Sequence, residues 1–149
     1  SGSFDSQPLL ADTAFGQGQL LMSPLHQAIF YSAFANNGTL TFPKLELNSN
    51  EPETMQPIEP KTAETIEKIL VQVVEDSNGT AHVLNKSPLS LAAKTGTAEF
   101  KGEEEGNDTN GFVVAFDAEN HSFLSTIFIE DKSGSSVANQ FASVLAQHE

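Results

Sequence analysis

Lys94, Thr95, Gly96 and Thr97 stand together in the stretch "LAAKTGTAEF" at 91–100. The chain has seven lysines and no arginine, so a cation placed among small apolar residues calls for a reason. Side chains of a strand alternate between faces. An extended reading therefore puts Lys94 and Gly96 on one face and Thr95 and Thr97 on the other. The absent side chain at Gly96 leaves room beside the ammonium. If the strand lies at a sheet edge, its unused amides can also receive a ligand. A cation, hydroxyls and backbone donors along one rim suit a carboxylate or a developing oxyanion. Taken alone, four residues are a short motif that also arises by chance.

Other residues with chemical potential read more plainly as structure. Gln17 between Gly16 and Gly18 marks a tight turn that sets the entry of a helix. His26, His82, His121 and His148 are scattered, and no pair has the i, i+4 spacing of a metal site, so no metal and no cofactor is expected. Glu103, Glu104, Glu105 and Asp108 read as a solvated hairpin loop rather than a Ca²⁺ site. Thr65-Ile66-Glu67-Lys68 has the spacing of a hydroxyl nucleophile and its base, but it lies within an ordinary amphipathic helix. Phe30, Tyr31 and Phe34 read as core and groove lining.

These residues need elements to position them, and 149 residues with 38% apolar content and eleven Phe can build one compact core. The net charge of −13 argues against a nucleic-acid surface or an anionic membrane as partner, since phosphate contacts need clustered cations. No cysteine is present, which excludes disulfides and thiolate chemistry. No stretch reads as a membrane span or a signal peptide.

Ser23-Pro24 opens a helix over about 24–37, with Ser23 as cap and Pro24 in the first turn, and Asn36-Asn37-Gly38 closes it. A short strand is expected from Thr39 to Phe42. The polar, proline-bearing run 46–60 reads as a surface loop with an extended segment near Ile58. Ala63, Ile66, Ile69, Leu70, Val73 and Val74 make the apolar stripe of a second helix over about 61–76, with Glu64 and Lys68 paired on its surface. Three antiparallel strands follow at about 90–101, 111–117 and 122–131, joined by the acidic connection 102–110 and the turn "AENH". The apolar run in the later strands predicts cover on both sheet faces. A last helix is expected over about 135–147. The fold class is α+β, a three-stranded antiparallel sheet packed with helices, and 1–149 is a single unit.

"AAKTGTAEF" resembles the Lys-Thr-Gly box of the penicillin-binding proteins and serine β-lactamases. The continuation Thr97-Ala98-Glu99 resembles the transpeptidases more than the β-lactamases. Upstream, "FGQGQLLMSPLHQAIFYSAFANNGTLTFPKL" is similar to the Gly-Gln-Gly segment and following helix of class B transpeptidases, and "NGFVVAFD" and "FLSTIFIEDK" are similar to the two strands after the box. The likeness runs from about Leu9 onward and looks nearest to the low-affinity, antibiotic-resistance-type class B enzymes of Gram-positive bacteria. Ala93 departs from the glycine usual there. More telling, no Ser is followed three positions on by Lys, and none two positions on by Asn. The family keeps those nucleophile and proton-transfer boxes ahead of the Gly-Gln-Gly segment. The resemblance therefore implies the C-terminal half of a transpeptidase domain, silent alone, whose parent cross-links peptidoglycan at the extracytoplasmic face of the cell membrane.

On that resemblance, Lys94 and Thr97 are the catalytic residues and Thr95, Gly96 and Thr97 bind substrate. Lys94 would hold positive potential over the cleft, Thr95 and Thr97 would take the substrate carboxylate, and the Thr97 amide would supply half of the oxyanion hole. The implied partners are peptidoglycan stem peptides and β-lactams, with any membrane anchor lying in the parent. The family sheet has five strands, so the edge of the last strand here should be open and prone to self-association. The alternatives are a non-catalytic module that binds peptide or partner through the Lys94 rim, and a fragment of a β-lactamase-type hydrolase or β-lactam sensor.

Overall fold

The computed structural model describes residues 7–14, 16, 20–44, 53–101 and 107–147. In chain order these form α1 (Gln7–Ala14), α2 (Pro24–Ala35), β1 (Leu40–Thr41), β2 (Thr54–Met55), α3 (Pro60–Glu75), a 3-10 turn (His82–Lys86), β3 (Leu91–Lys101), β4 (Asn107–Asp117), β5 (Leu124–Ile129) and α4 (Gly134–Leu145). β3, β4 and β5 make one antiparallel sheet in that order. β1 and β2 form a separate two-stranded ribbon, Leu40 opposite Met55 and Thr41 opposite Thr54.

The helices form where capping and periodicity place them. Ser23 Oγ accepts from the His26 amide, and Pro24 occupies the first turn of α2. At the other end the Gly38 amide returns to the Ala33 carbonyl at 2.7 Å. Gly38 has φ +89°, and a Cβ there would lie 2.1 Å from the Ile58 carbonyl oxygen, so only glycine closes this helix. On α3 the expected pair forms, Lys68 Nζ to Glu64 Oε1 at 2.5 Å.

Both faces of the sheet are covered. Leu91, Ala93, Val113 and Ala115 pack against Val74 of α3, Ala81 and Leu84 of the 3-10 region, and Val137, Ala138 and Phe141 of α4. On the opposite face Ala92 and Phe116 pack against Phe34 of α2 and Leu70 of α3. Residues 113–116 are each 0–1% exposed, which is why β4 is apolar at successive positions rather than alternate ones.

Four features differ from the sequence reading. β4 begins at Asn107 instead of 111, because Ala98 to Lys101 of β3 extend the ladder to pair with Asn110 to Asn107. Main-chain pairing needs no apolar side chains, so a polar run can carry strand. The extended segment expected near Ile58 lies at Thr54–Met55 instead, paired to β1. Residues 7–14 and 82–86, to which the sequence reading assigned no element, form a helix and a 3-10 turn.

The β4–β5 turn is organised by Asp117, which is 1% exposed. Its carboxylate accepts from Ser122 Oγ at 2.7 Å, from the Glu119 amide at 3.0 Å and from the Asn120 amide at 3.1 Å. The Ser122 hydroxyl and then these amides favour the ionised form and lower the pKa to about 2. Because the folded pKa is depressed, the stabilisation is complete above the ordinary carboxylate value of about 3.9 and is lost as pH falls towards 2. We predict that thermal unfolding midpoints drop between about pH 4 and pH 2, and that Asp117→Asn lowers the midpoint at pH 7 while flattening that acid limb. An unchanged acid limb in Asp117→Asn would contradict this role.

Candidate active-site edge

The phase of the β3–β4 ladder decides what β3 offers. The Ala118 amide donates to the Ser90 carbonyl at 2.8 Å, and the Asp117 amide donates to the Phe123 carbonyl at 3.3 Å. Ser90 and Ala118 are thus a hydrogen-bonded pair just beyond the ladder that starts at Leu91 opposite Asp117. In an antiparallel pair, hydrogen-bonded and non-hydrogen-bonded positions alternate. The amides and carbonyls of Ala92, Lys94, Gly96 and Ala98 therefore face β4. Those of Ala93, Thr95 and Thr97 face the outer edge, where no further strand pairs among the described residues.

Lys94 is exposed and its ammonium reaches that same edge, donating to the Thr95 carbonyl oxygen. Partial burial removes some of its hydration and lowers its pKa from that of an ordinary lysine. In a chain of net charge −13 this places a cation directly on an outward-facing carbonyl.

The two hydroxyls lie on the face that Leu91 and Ala93 share. Thr95 is 7% exposed, and its Oγ lies 2.7 Å from Thr80 Oγ in the turn after α3. Thr97 Oγ accepts from the Gly134 amide at the start of α4, at 2.9 Å. The room expected beside Gly96 is filled. Phe112, directly opposite on β4, lays its ring over the bare α-carbon, and a Cβ at Gly96 would come within 2.0 Å of that ring. Covering a strand glycine with a cross-strand aromatic ring restores the packing that the missing side chain forfeits.

So the structure brings the Lys94 ammonium to the outward Thr95 carbonyl, and it sets both hydroxyls against neighbouring elements. Thr80, Phe112 and Gly134 are parts of the site that the sequence reading passed over. Gly134 lies one residue ahead of the last helix as the sequence places it. The other candidates lie elsewhere. Gln17 and Glu103 to Glu105 fall outside the described residues. The Thr65 hydroxyl donates to the Lys61 carbonyl, and Lys68 is paired with Glu64. His26 meets Ser23, His82 meets the Val74 carbonyl, and His121 meets Glu67. Among the described residues no three His, Asp or Glu gather as metal ligands, and no helix is long and apolar enough to cross a membrane. Phe30, Tyr31 and Phe34 form an edge-to-face cluster on α2 with centroids 5.4 to 5.7 Å apart.

Residues 2–147 match the family described as the penicillin binding protein transpeptidase domain. Penicillin-binding protein 3 of Bacillus subtilis is 40% identical over 139 residues, which cover 88% of this chain and 21% of that protein. Among solved structures, the complex of penicillin-binding protein PBP2 with MreC from Helicobacter pylori superposes with a TM-score of 0.78 at 28% identity, over 91% of this chain and 26% of that one. Penicillin-binding protein 2B of Streptococcus pneumoniae shares the fold, with a TM-score of 0.73 at 21% identity over 96% of this chain and 27% of that one. The chain thus spans about a fifth to a quarter of the length of these relatives.

Proposed function

The chain belongs to the penicillin-binding protein transpeptidase domain family, and from that premise we propose that it is the C-terminal half of a serine D,D-transpeptidase domain, contributing the β3 rim of the active site. The observation that carries this reading is the outer edge of β3, where the Lys94 ammonium meets the Thr95 carbonyl and the Thr97 amide points away from β4.

The proposed reaction is acyl transfer. A serine from the preceding half attacks the carbonyl of a D-Ala-D-Ala stem peptide, and the carbonyl oxygen gains negative charge. Collapse expels D-Ala, whose nitrogen takes a proton, and an amine of a neighbouring stem peptide then displaces the serine. The outward Thr97 amide donates to the charged oxygen, and the nucleophile's own amide gives the second bond. Lys94 raises the potential along the rim and engages the serine hydroxyl of the Ser-x-Asn box. Thr97 holds the substrate carboxylate, and Thr95, whose hydroxyl is turned to Thr80, contributes through its outward main chain. The Thr97 hydroxyl accepts from the helix amide of Gly134, which fixes its place beside the rim. A β-lactam enters the same site and remains as the acyl-enzyme. The setting is the extracytoplasmic face of the bacterial cell membrane.

A fluorescent penicillin tests this directly. The full-length protein carrying this chain should label covalently, and Lys94→Ala should slow labelling by about 100-fold or more, the scale of losing one charged or oxyanion contact. The 149-residue chain alone should not label, for want of a Ser-x-x-Lys box. Labelling of the isolated chain would contradict the proposal.

The outer edge of β5 supports a second expectation for the isolated chain. β5 is the far strand of the described sheet, and Phe128 on it is 44% exposed. An unpaired apolar edge recruits another strand. Light scattering after size exclusion should show concentration-dependent dimers or larger species, whereas a monomer at high concentration would rule this out.

A further inference from the structure

The outward amide of Thr97 belongs to the Gly96–Thr97 peptide, and the back of that peptide is occupied by the first residue of α4. Gly134 is buried, and a Cβ on it would lie 2.6 Å from the Gly96 carbonyl oxygen, 2.9 Å from the Gly96 nitrogen and 3.0 Å from the Gly96 carbonyl carbon. These neighbours are backbone, so no side chain can swing aside to make room. Gly111, opposite Thr97 on β4, admits the same segment from the other side, since its Cβ would meet the Ser133 carbonyl oxygen at 2.6 Å. The Gly134 amide then donates to Thr97 Oγ at 2.9 Å. Ser133 caps the helix by accepting from the Ser136 amide, which fixes where its first turn begins.

We propose that Gly134 is a positioning residue for acyl transfer, its bare α-carbon letting α4 clamp the Gly96–Thr97 peptide from behind and so fix the direction of the Thr97 amide. The proposal rests on the transpeptidase reading for its catalytic consequence and on geometry alone for the clamp. A methyl at Gly134 must push either the helix or the peptide. The peptide carries the donor, and oxyanion donors act only when aimed at the position the charged oxygen will take.

The test compares Gly134→Ala with Val137→Ala in the full-length protein. Val137 is fully buried in the same helix and touches the core rather than β3's outer edge. Gly134→Ala should slow the rate constant of β-lactam acylation about tenfold or more, short of the 100-fold or greater loss that follows deletion of a donor. The pre-covalent dissociation constant should stay as in the wild type. Deuterium exchange of the peptide spanning Lys94 to Glu99 should quicken. Val137→Ala should lower the unfolding midpoint yet leave acylation and that exchange unchanged. If Gly134→Ala fails to fold, Ser133→Ala removes the cap that fixes where α4 begins and should show the same slowed acylation and quickened exchange, with Ser133→Thr restoring both. Wild-type acylation in Gly134→Ala, or equal slowing by Val137→Ala, overturns the proposal. A wild-type protein that does not acylate refutes the transpeptidase reading instead, and then exchange alone judges the clamp, unchanged exchange overturning it.

Discussion

The phase of hydrogen bonding between β3 and β4 governs what this molecule can present to a ligand. Ser90 and Ala118 set it, and eleven further pairs from Leu91–Asp117 to Lys101–Asn107 carry it along the strand. In this phase the amide of Thr97 and the carbonyl of Thr95 face outward, and Lys94 can reach round to that carbonyl. A slip of one residue would turn those groups inward and move every side chain to the opposite face. Lys94 would then sit against the α4 side, where Ala93 now packs at 1% exposure.

The rest of the fold makes that slip expensive. Ala92 and Phe116 are buried against α2 and α3, while Ala93, Val113 and Ala115 are buried against α4 and the 3-10 turn. Each buried Val or Phe side chain contributes about 1.5–3 kcal/mol relative to exposure, and a changed register would forfeit several at once. Two polar latches act on the same strand from the back. Thr80 meets Thr95, and Gly134 meets Thr97. The outward main chain of β3 is thus held by a dry core and by neighbours on the face away from its edge. A site built on a rigid strand in this way loses little energy to reorganisation when charge develops.

Much of this was legible in the sequence, and the residues show why. Ser23-Pro24 and Gly38 announce the ends of α2 through local chemistry, and the stripe from Ala63 to Val74 announces α3 through period. Lys94-Thr95-Gly96-Thr97 could be placed on a strand with alternating faces because strand geometry has a period of two. What was missed depends on contacts distant in sequence. Thr80 is 15 residues from Thr95, and Gly134 is 37 from Thr97. No local pattern in "NGT" or "KSG" signals either partner. The space read beside Gly96 was filled by Phe112 for the same reason, since only the ladder reveals that the two are opposite. Asn107 to Asn110 escaped as strand because ladder pairing through the main chain leaves no apolar pattern to read.

The aim of the Thr97 amide is the claim on which the account stands, and a crystal structure of the full-length protein acylated by a β-lactam measures it. The account predicts that the Thr97 nitrogen lies about 2.7–3.1 Å from the acyl carbonyl oxygen, with Lys94 on the same rim. An acyl oxygen bound by other groups, with the Thr97 amide turned towards β4 or paired to another strand, would contradict it.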